Sequence, residues 1–202
     1  MISLRHWTPR YAWDKCRYFA YCHTHRGVSW LTPDANRMLA AWIRRDYRGF
    51  EWGAGRSTLW FAQRAKHLTT VEHDAAWERR IRRIAARKGL ANITWHVYPQ
   101  DSAEYVGAAE DEPDESLDFA LVDGFQRDRC ALAILPKLRA GGWLIVDNVN
   151  RYLPCASRAP NSLGLDATPL TEDWARLLNT TRDWKCTWTT SGVSDTAIWE
   201  RP

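Results

Sequence analysis

Glu51-Trp52-Gly53-Ala54-Gly55-Arg56-Ser57-Thr58 is the stretch on which the fold turns. It follows Arg48–Trp52, a short apolar run that reads as a strand, and it runs directly into a helical segment over 57–66. Gly53 and Gly55 let the backbone turn tightly and let a ligand approach the main chain. The helix start beyond them offers free N–H groups and a positive dipole end to a carboxylate or phosphate. A lone G-x-G carries little weight, so the flanking chain has to decide. The next strand-like run, 68–72, closes on Glu72, about 20 residues further on, where doubly wound nucleotide sites place the acid that binds ribose hydroxyls.

Working outward, short apolar or β-branched runs recur at 93–98, Leu117–Val122 and 143–147, with helical stretches over 75–88 and 126–138 and a short irregular link over 102–109. Gly89 sits where a helix C-cap glycine belongs, and Pro136 is expected to shorten the helix it falls in. Alternation of this length predicts a parallel sheet with right-handed crossovers and helices on both faces. The tail breaks it: a capped helix over 171–179 is followed by runs at 183–189 and 196–200, joined by a turn-rich connector containing Gly192. Two strands closed by a short loop are antiparallel to each other. Upstream, the first fifty residues are rich in aromatics, and Thr32-Pro33-Asp34 reads as a helix start whose buried face is Met38, Leu39, Trp42 and Ile43.

The 202 residues, 45% hydrophobic and 26% charged, suit one globular domain that needs no disulfides. No apolar run approaches the roughly 20 residues of a membrane span, and the N-terminal segment has no apolar signal core, so a cytoplasmic location is expected. Five cysteines without framework spacing read as reduced thiols. Cys16, Cys22, His23 and His25 lack the second ligand pair that a zinc site needs. Arg79, Arg80, Arg82, Arg83, Arg87 and Lys88 form a basic run, yet Trp77, Ile81, Ile84 and Ala85 make one apolar stripe that turns those cations outward. A solvated helix face is therefore expected there, and nucleic acid is not an expected partner.

Four motifs in order, Glu51–Thr58, Val71-Glu72-His73-Asp74, Leu121-Val122-Asp123-Gly124 and Gly141-Gly142-Trp143-Leu144-Ile145-Val146-Asp147-Asn148, resemble those of class I methyltransferases dependent on S-adenosylmethionine (SAM). The resemblance spans roughly residues 30–200. It implies an α/β, Rossmann-like, seven-stranded and mostly parallel sheet with an antiparallel C-terminal strand. The expected division is an N-terminal helical cap over 1–46 and a SAM-binding domain over 47–202. Thr58, where a dinucleotide site has a third glycine, and Glu51, two residues before the first glycine, both favour SAM over NAD.

By resemblance, Glu51, Gly53, Gly55 and Ser57 bind the methionyl part of SAM and Glu72 binds the ribose. Asp101 and Ser102 take the adenine, the backbone N–H of Ser102 facing a ring nitrogen. His73 follows Glu72 and could line the cofactor pocket, although it reads rather as a bystander at the strand end. Asp123 and Asp147 are the candidate catalytic residues. Together with Asn148 they also resemble, in part, the metal site of metal-dependent O-methyltransferases, although Gly124-Phe125-Gln126-Arg127 departs from that pattern. Magnesium, manganese or calcium on those oxygens is kept as an alternative and not as the favoured reading. The expected activity is methylation of an oxygen or nitrogen of a small molecule. The alternatives are an NAD-type oxidoreductase and an RNA-binding module using the Arg79–Arg87 face.

Overall fold

The computed structural model describes residues 8–25 and 27–202. Two helices come first. In α1 (Pro9–Thr24), the Thr8 hydroxyl accepts from the Tyr11 N–H; in α2 (Pro33–Trp42), Thr32 caps, Pro33 opens the first turn and Asp34 follows, as the sequence predicts. The alternation then runs β1 (Arg48–Trp52), α3 (Arg56–Ala62), β2 (His67–Glu72), α4 (Ala75–Arg87), β3 (Ile93–Val97), α5 (Ala103–Gly107), β4 (Leu117–Val122), α6 (Arg127–Ile134) and β5 (Leu138–Asp147). It closes with α7 (Glu172–Thr180), β6 (Lys185–Thr190) and β7 (Asp195–Glu200).

The strands form one seven-stranded sheet in the order β3-β2-β1-β4-β5-β7-β6. The first five are parallel, and β7 runs antiparallel to both β5 and β6. The predicted terminal hairpin is present, with β7 inserted between β5 and the edge strand β6. The order reverses between β1 and β4, so the crevice where such sheets bind ligands opens at their carboxyl ends.

Two local expectations change. The link over 102–109 is helical, because the Ser102 hydroxyl accepts from the Tyr105 N–H and starts α5, which runs on into a 3-10 turn over Ala108–Asp111. β5 starts at Leu138, five residues before the predicted run, across a register shift opposite Leu117 and Phe119. Pro136 does shorten its helix: α6 stops at Ile134 and the proline sits in a 3-10 turn.

Side chains alternate across the sheet, as strand pleating requires. Phe50, Trp52, Ala120, Val122, Leu144 and Val146 face one way and pack with Tyr105, Cys130, Ile134, Trp174 and Leu177 from α5, α6 and α7. Phe119, Leu121, Ile145 and Ile198 face the other way, against Ala35 and Leu39 of α2 and Trp60 and Phe61 of α3. α2 is thus built into the second core layer. Each large side chain buried this way contributes about 1.5–3 kcal/mol. Several tryptophans serve packing: Trp52, Trp60 and Trp174 are buried, and Trp42 stacks on Trp143 with centroids 3.9 Å apart.

α1 differs from the rest, since it carries no buried residue. Its Tyr18 hydroxyl donates to the Trp30 carbonyl at 2.6 Å, and burial together with Cys22, Asp147 and Asp123 pushes that phenol's pKa upward. Asp14 of the same helix stands against Gly192 in the β6–β7 connector. All five cysteines are free, and no described helix is long and apolar enough to cross a membrane.

Gly49 of β1 is where the two central strands are fitted to each other. A Cβ built on it would stand 2.1 Å from the ring of Phe119, which is fully buried. Gly49→Ala should lower stability by about 1–3 kcal/mol through overpacking, read as a drop in the urea midpoint at unchanged slope. An unshifted midpoint would mean that the ring relocates at no cost.

Candidate active site

The turn after β1 is shaped by close backbone contact. Gly53 has φ +99°, a region side chains rarely adopt, and a Cβ there would lie 3.0 Å from the Asp123 carbonyl carbon and the Gly124 nitrogen. Gly124 is seated as tightly, with the Tyr105 hydroxyl 2.1 Å from where its Cβ would be. Gly55 is the opposite case. Nothing lies within 4 Å of its would-be Cβ, so that glycine faces open space.

That space is a cavity of about 730 Å³ at the carboxyl ends of β1, β2 and β4. Gly53–Ser57 form its base. Glu72, His73, Asp74 and Trp77 line one side, and Asp123 through Asp128 the other. Trp30, Tyr152, Leu170 and Trp174 complete the lining. Of the residues singled out in the sequence, Gly53, Gly55, Ser57, Glu72 and Asp123 come together here.

Glu51 lies behind the base and is fully buried. Its Oε1 accepts from the Thr70 hydroxyl at 3.0 Å, while Oε2 has no hydrogen-bond partner. Burial pushes its carboxyl up to about 7, with the nearby hydroxyls of Thr58, Ser57 and Thr70 pulling the other way. Glu72 is satisfied differently. Oε1 accepts from the backbone N–H groups of His73 at 2.7 Å and Asp74 at 2.9 Å, and His73 Nδ1 lies 2.6 Å away. Oε2 accepts only from the Ala54 N–H at 3.0 Å. That oxygen keeps a lone pair for a ligand hydroxyl.

His73 is more than a bystander: it lines the cavity, set edge-on to Phe125 with centroids 4.6 Å apart. Asp101 and Ser102 stand outside the lining residues, and the Ser102 N–H already donates to the Pro99 carbonyl at 3.0 Å. Gln126 reaches across instead, its side-chain amide donating to the Gln100 carbonyl at 2.6 Å. His73, the less favoured possibility in the sequence, is a wall residue, and Trp77 and Phe125 are wall residues that the sequence did not mark. Trp77 belongs by its spacing to the apolar stripe of α4, yet its indole N–H donates to the Ala54 carbonyl at 2.7 Å.

Asp123, Asp147 and Asn148 do gather at the ends of β4 and β5. Asp147 faces inward, its carboxylate accepting from the Thr196 hydroxyl at 2.7 Å and from the Asn148 amide at 2.9 Å. Burial and the neighbouring Asp123 push its carboxyl up to about 7. Burial also raises the Asp123 carboxyl, and Arg127 opposes the rise. A divalent cation does not fit this set. The Arg127 guanidinium lies among the three residues, donating to Asp123 Oδ1 at 2.9 Å, to the Asp123 carbonyl at 2.7 Å, to the Asp147 carbonyl, and to Asn148 Oδ1 at 3.4 Å. Among the described residues, no group of three or more His, Cys, Asp or Glu side chains is placed to hold a metal.

An open sheet with a cavity at its switch point and acids at three strand ends defines a ligand-binding α/β protein of the Rossmann-like class. Residues 50–149 match a family model described as a methyltransferase domain, a match that runs from within β1 to just beyond β5 and supports a methyltransferase family for this chain. A methyltransferase from Geobacter sulfurreducens is 16% identical, with TM-score 0.58 over 93% of this chain and 88% of that one. A Staphylococcus aureus protein provisionally assigned as a caffeoyl-CoA O-methyltransferase is 13% identical, with TM-score 0.58 over 92% and 91%. An rRNA methylase from Streptococcus thermophilus is 12% identical, with TM-score 0.55 over 83% and 94%. At such identities the structural likeness speaks for the fold. No curated protein matches by sequence.

Glu51 yields a pH dependence. Its folded-state pKa, about 7, stands above the ordinary value of 4.5, so between those pH values the folded protein holds a proton that the unfolded chain has released. The stability tied to that proton is fully present below pH 4.5 and is lost as pH rises through 7. Relative to Glu51→Gln, the wild type should therefore lose stability between pH 5 and 7, by at most about 1.4 kcal/mol per unit. Parallel melting curves for the two proteins across that range would show that Glu51 is ionised throughout.

Proposed function

We propose that the protein is a SAM-dependent methyltransferase acting on an oxygen or nitrogen of a small molecule. One observation carries the reading: the open face of Gly55, the Oε2 lone pair of Glu72 and the Asp123 carboxylate share one cavity at the sheet's switch point. When bound, SAM supplies an electrophilic methyl on a sulfonium. The chain's work is then to hold and align the reactants and exclude water, since an in-line displacement needs little covalent help. The base of the cavity at Gly55 and Ser57 would take the methionyl end. Glu72 Oε2 would accept from a ribose hydroxyl. The adenine would lie along His73 and Phe125, a better-placed wall than Asp101 and Ser102.

Asp123 is the candidate base. It lines the cavity, one of its carboxylate oxygens is held by Arg127, and the other has no hydrogen bond from the described residues. From there Oδ2 can take the proton that an acceptor hydroxyl or amine gives up as it is methylated. Asp147 stands behind it, with both oxygens engaged by Thr196 and Asn148, and would act through the shape and charge of the edge. Trp30, Phe125 and Leu170 are large apolar groups left exposed around the same opening, which suits a flat, apolar acceptor.

A nucleic-acid acceptor is the second reading. The basic side chains of α4 all point outward, with Arg80 over Trp77 and Arg82 over Trp95. RNA binding that falls steeply with salt would favour it.

Calorimetric titration with SAM, S-adenosylhomocysteine and NAD tests the reading, with binding expected for the two sulfur compounds and not for NAD. Glu72→Ala should weaken SAM binding by about 1.5–3 kcal/mol, roughly ten- to a hundredfold, through loss of one charge-assisted hydrogen bond. The variant should also melt earlier, because three backbone N–H groups lose their acceptor. Affinity is therefore read well below its melting point. Wild-type affinity in a folded variant would remove Glu72 from the site.

A further inference from the structure

The side chain of Arg127 is nearly out of solvent, 13% exposed, and all five of its N–H donors are spoken for. Nε donates to the Gly124 carbonyl at 2.8 Å, Nη1 to the Asp147 carbonyl and Asn148 Oδ1, and Nη2 to the Asp123 carbonyl and Asp123 Oδ1. Every acceptor is an oxygen at the end of β4 or β5. A set of hard oxygen donors converging from two strand ends is what a divalent cation would use.

Local rules argue against an arginine here. Arg127 is the first residue of α6, the end where the helix dipole disfavours positive charge. The residue that aims it back over the strands, Gln126, sits at φ +45°, a left-handed conformation unusual for a glutamine. Two unfavourable local choices at one point imply a tertiary gain that outweighs them. A guanidinium also keeps its charge across the whole accessible pH range.

We propose that Arg127 is the resident cation of this edge, a positioning residue that occupies the place of a divalent metal and so makes the site metal-independent. It satisfies Asp123 on one oxygen and leaves the other toward the cavity, and it binds the carboxyl ends of β4 and β5 to each other. A metal ion entering beside it would meet a fixed positive charge and oxygens already engaged. The proposal extends the reading of this cavity as the methyl-transfer site, but its test does not pass through SAM.

Manganese binding, followed as loss of the free-ion signal in electron paramagnetic resonance, decides the matter on the intact protein. The wild type should bind no manganese at this edge at submillimolar concentration, and Asp123→Asn should behave identically. Arg127→Ala frees two side-chain oxygens and three carbonyls, and should bind manganese at least tenfold more tightly than the wild type. Adding Asp123→Asn to it should abolish that gain. Manganese should likewise raise the melting temperature of Arg127→Ala and not that of the wild type, a selectivity that a purely structural arginine would not produce. Should the alanine variant fail to fold, Arg127→Gln is read the same way.

Wild-type manganese binding that Asp123→Asn removes would overturn the proposal. So would a folded arginine variant that gains no affinity. Calorimetry with SAM on the same wild-type preparation separates these outcomes from a failure of the methyltransferase reading.

Discussion

The contact on which the site depends is one between backbones. Gly53, just beyond β1, lies directly against Asp123 and Gly124, just beyond β4, with no side chain between them. That approach holds the ends of the two central strands level and puts the Asp123 carboxylate beside the glycine turn. A larger residue at either glycine would part the strands and carry Asp123 away from the cavity. Tyr105 completes the contact from α5, its hydroxyl accepting from the Phe125 N–H at 3.1 Å.

Around that contact, four acids meet four different environments. Glu51 is sealed behind the turn among hydroxyls. Glu72 accepts from backbone N–H groups at the end of β2, and Asp147 is turned toward Thr196. Only Asp123 is held by a full cation while still reaching the cavity. In an interior of low dielectric these partners decide which carboxyls stay charged, so identical chemistry at neighbouring strand ends acquires distinct roles. A chain of hydroxyls then carries the edge inward. Thr196 accepts from the Thr32 N–H and donates to Asp147, and Thr32 meets Thr189, so the cap of α2 is tied to the end of β5.

Much of this was legible in the sequence. The central strands β4 and β5 announced themselves because strands buried on both faces carry nearly continuous apolar runs, and the glycine turn because glycine readily adopts the conformation at Gly53. The caps at Thr32 and the stop at Pro136 are local chemistry, visible in three or four consecutive residues. The apolar stripe of α4, which turns its arginines outward, is a period that needs no partner to be seen. Glycines in the base of the cavity and acids at the strand ends followed from the order of the motifs.

What the sequence could not supply is anything set by one segment's distance from another. Ser102 looked available for a ring nitrogen, but its N–H had been claimed by Pro99, three residues back. His73, Trp77 and Phe125 look like a strand-end residue, a packing residue and a loop residue until three elements bring them to one wall. Asp123, Asp147 and Asn148 left a metal site open as the less favoured alternative, because oxygen ligands carry no local mark of what they bind. Arg127 reaches those oxygens from a helix start where its charge is locally disfavoured, a contact that no local pattern announces. Periodicity, caps and backbone freedom are properties of neighbours along the chain, and the sequence determined them by itself. Which hydrogen-bond acceptors a buried charge finds is a property of neighbours in space, and only the folded structure decides it.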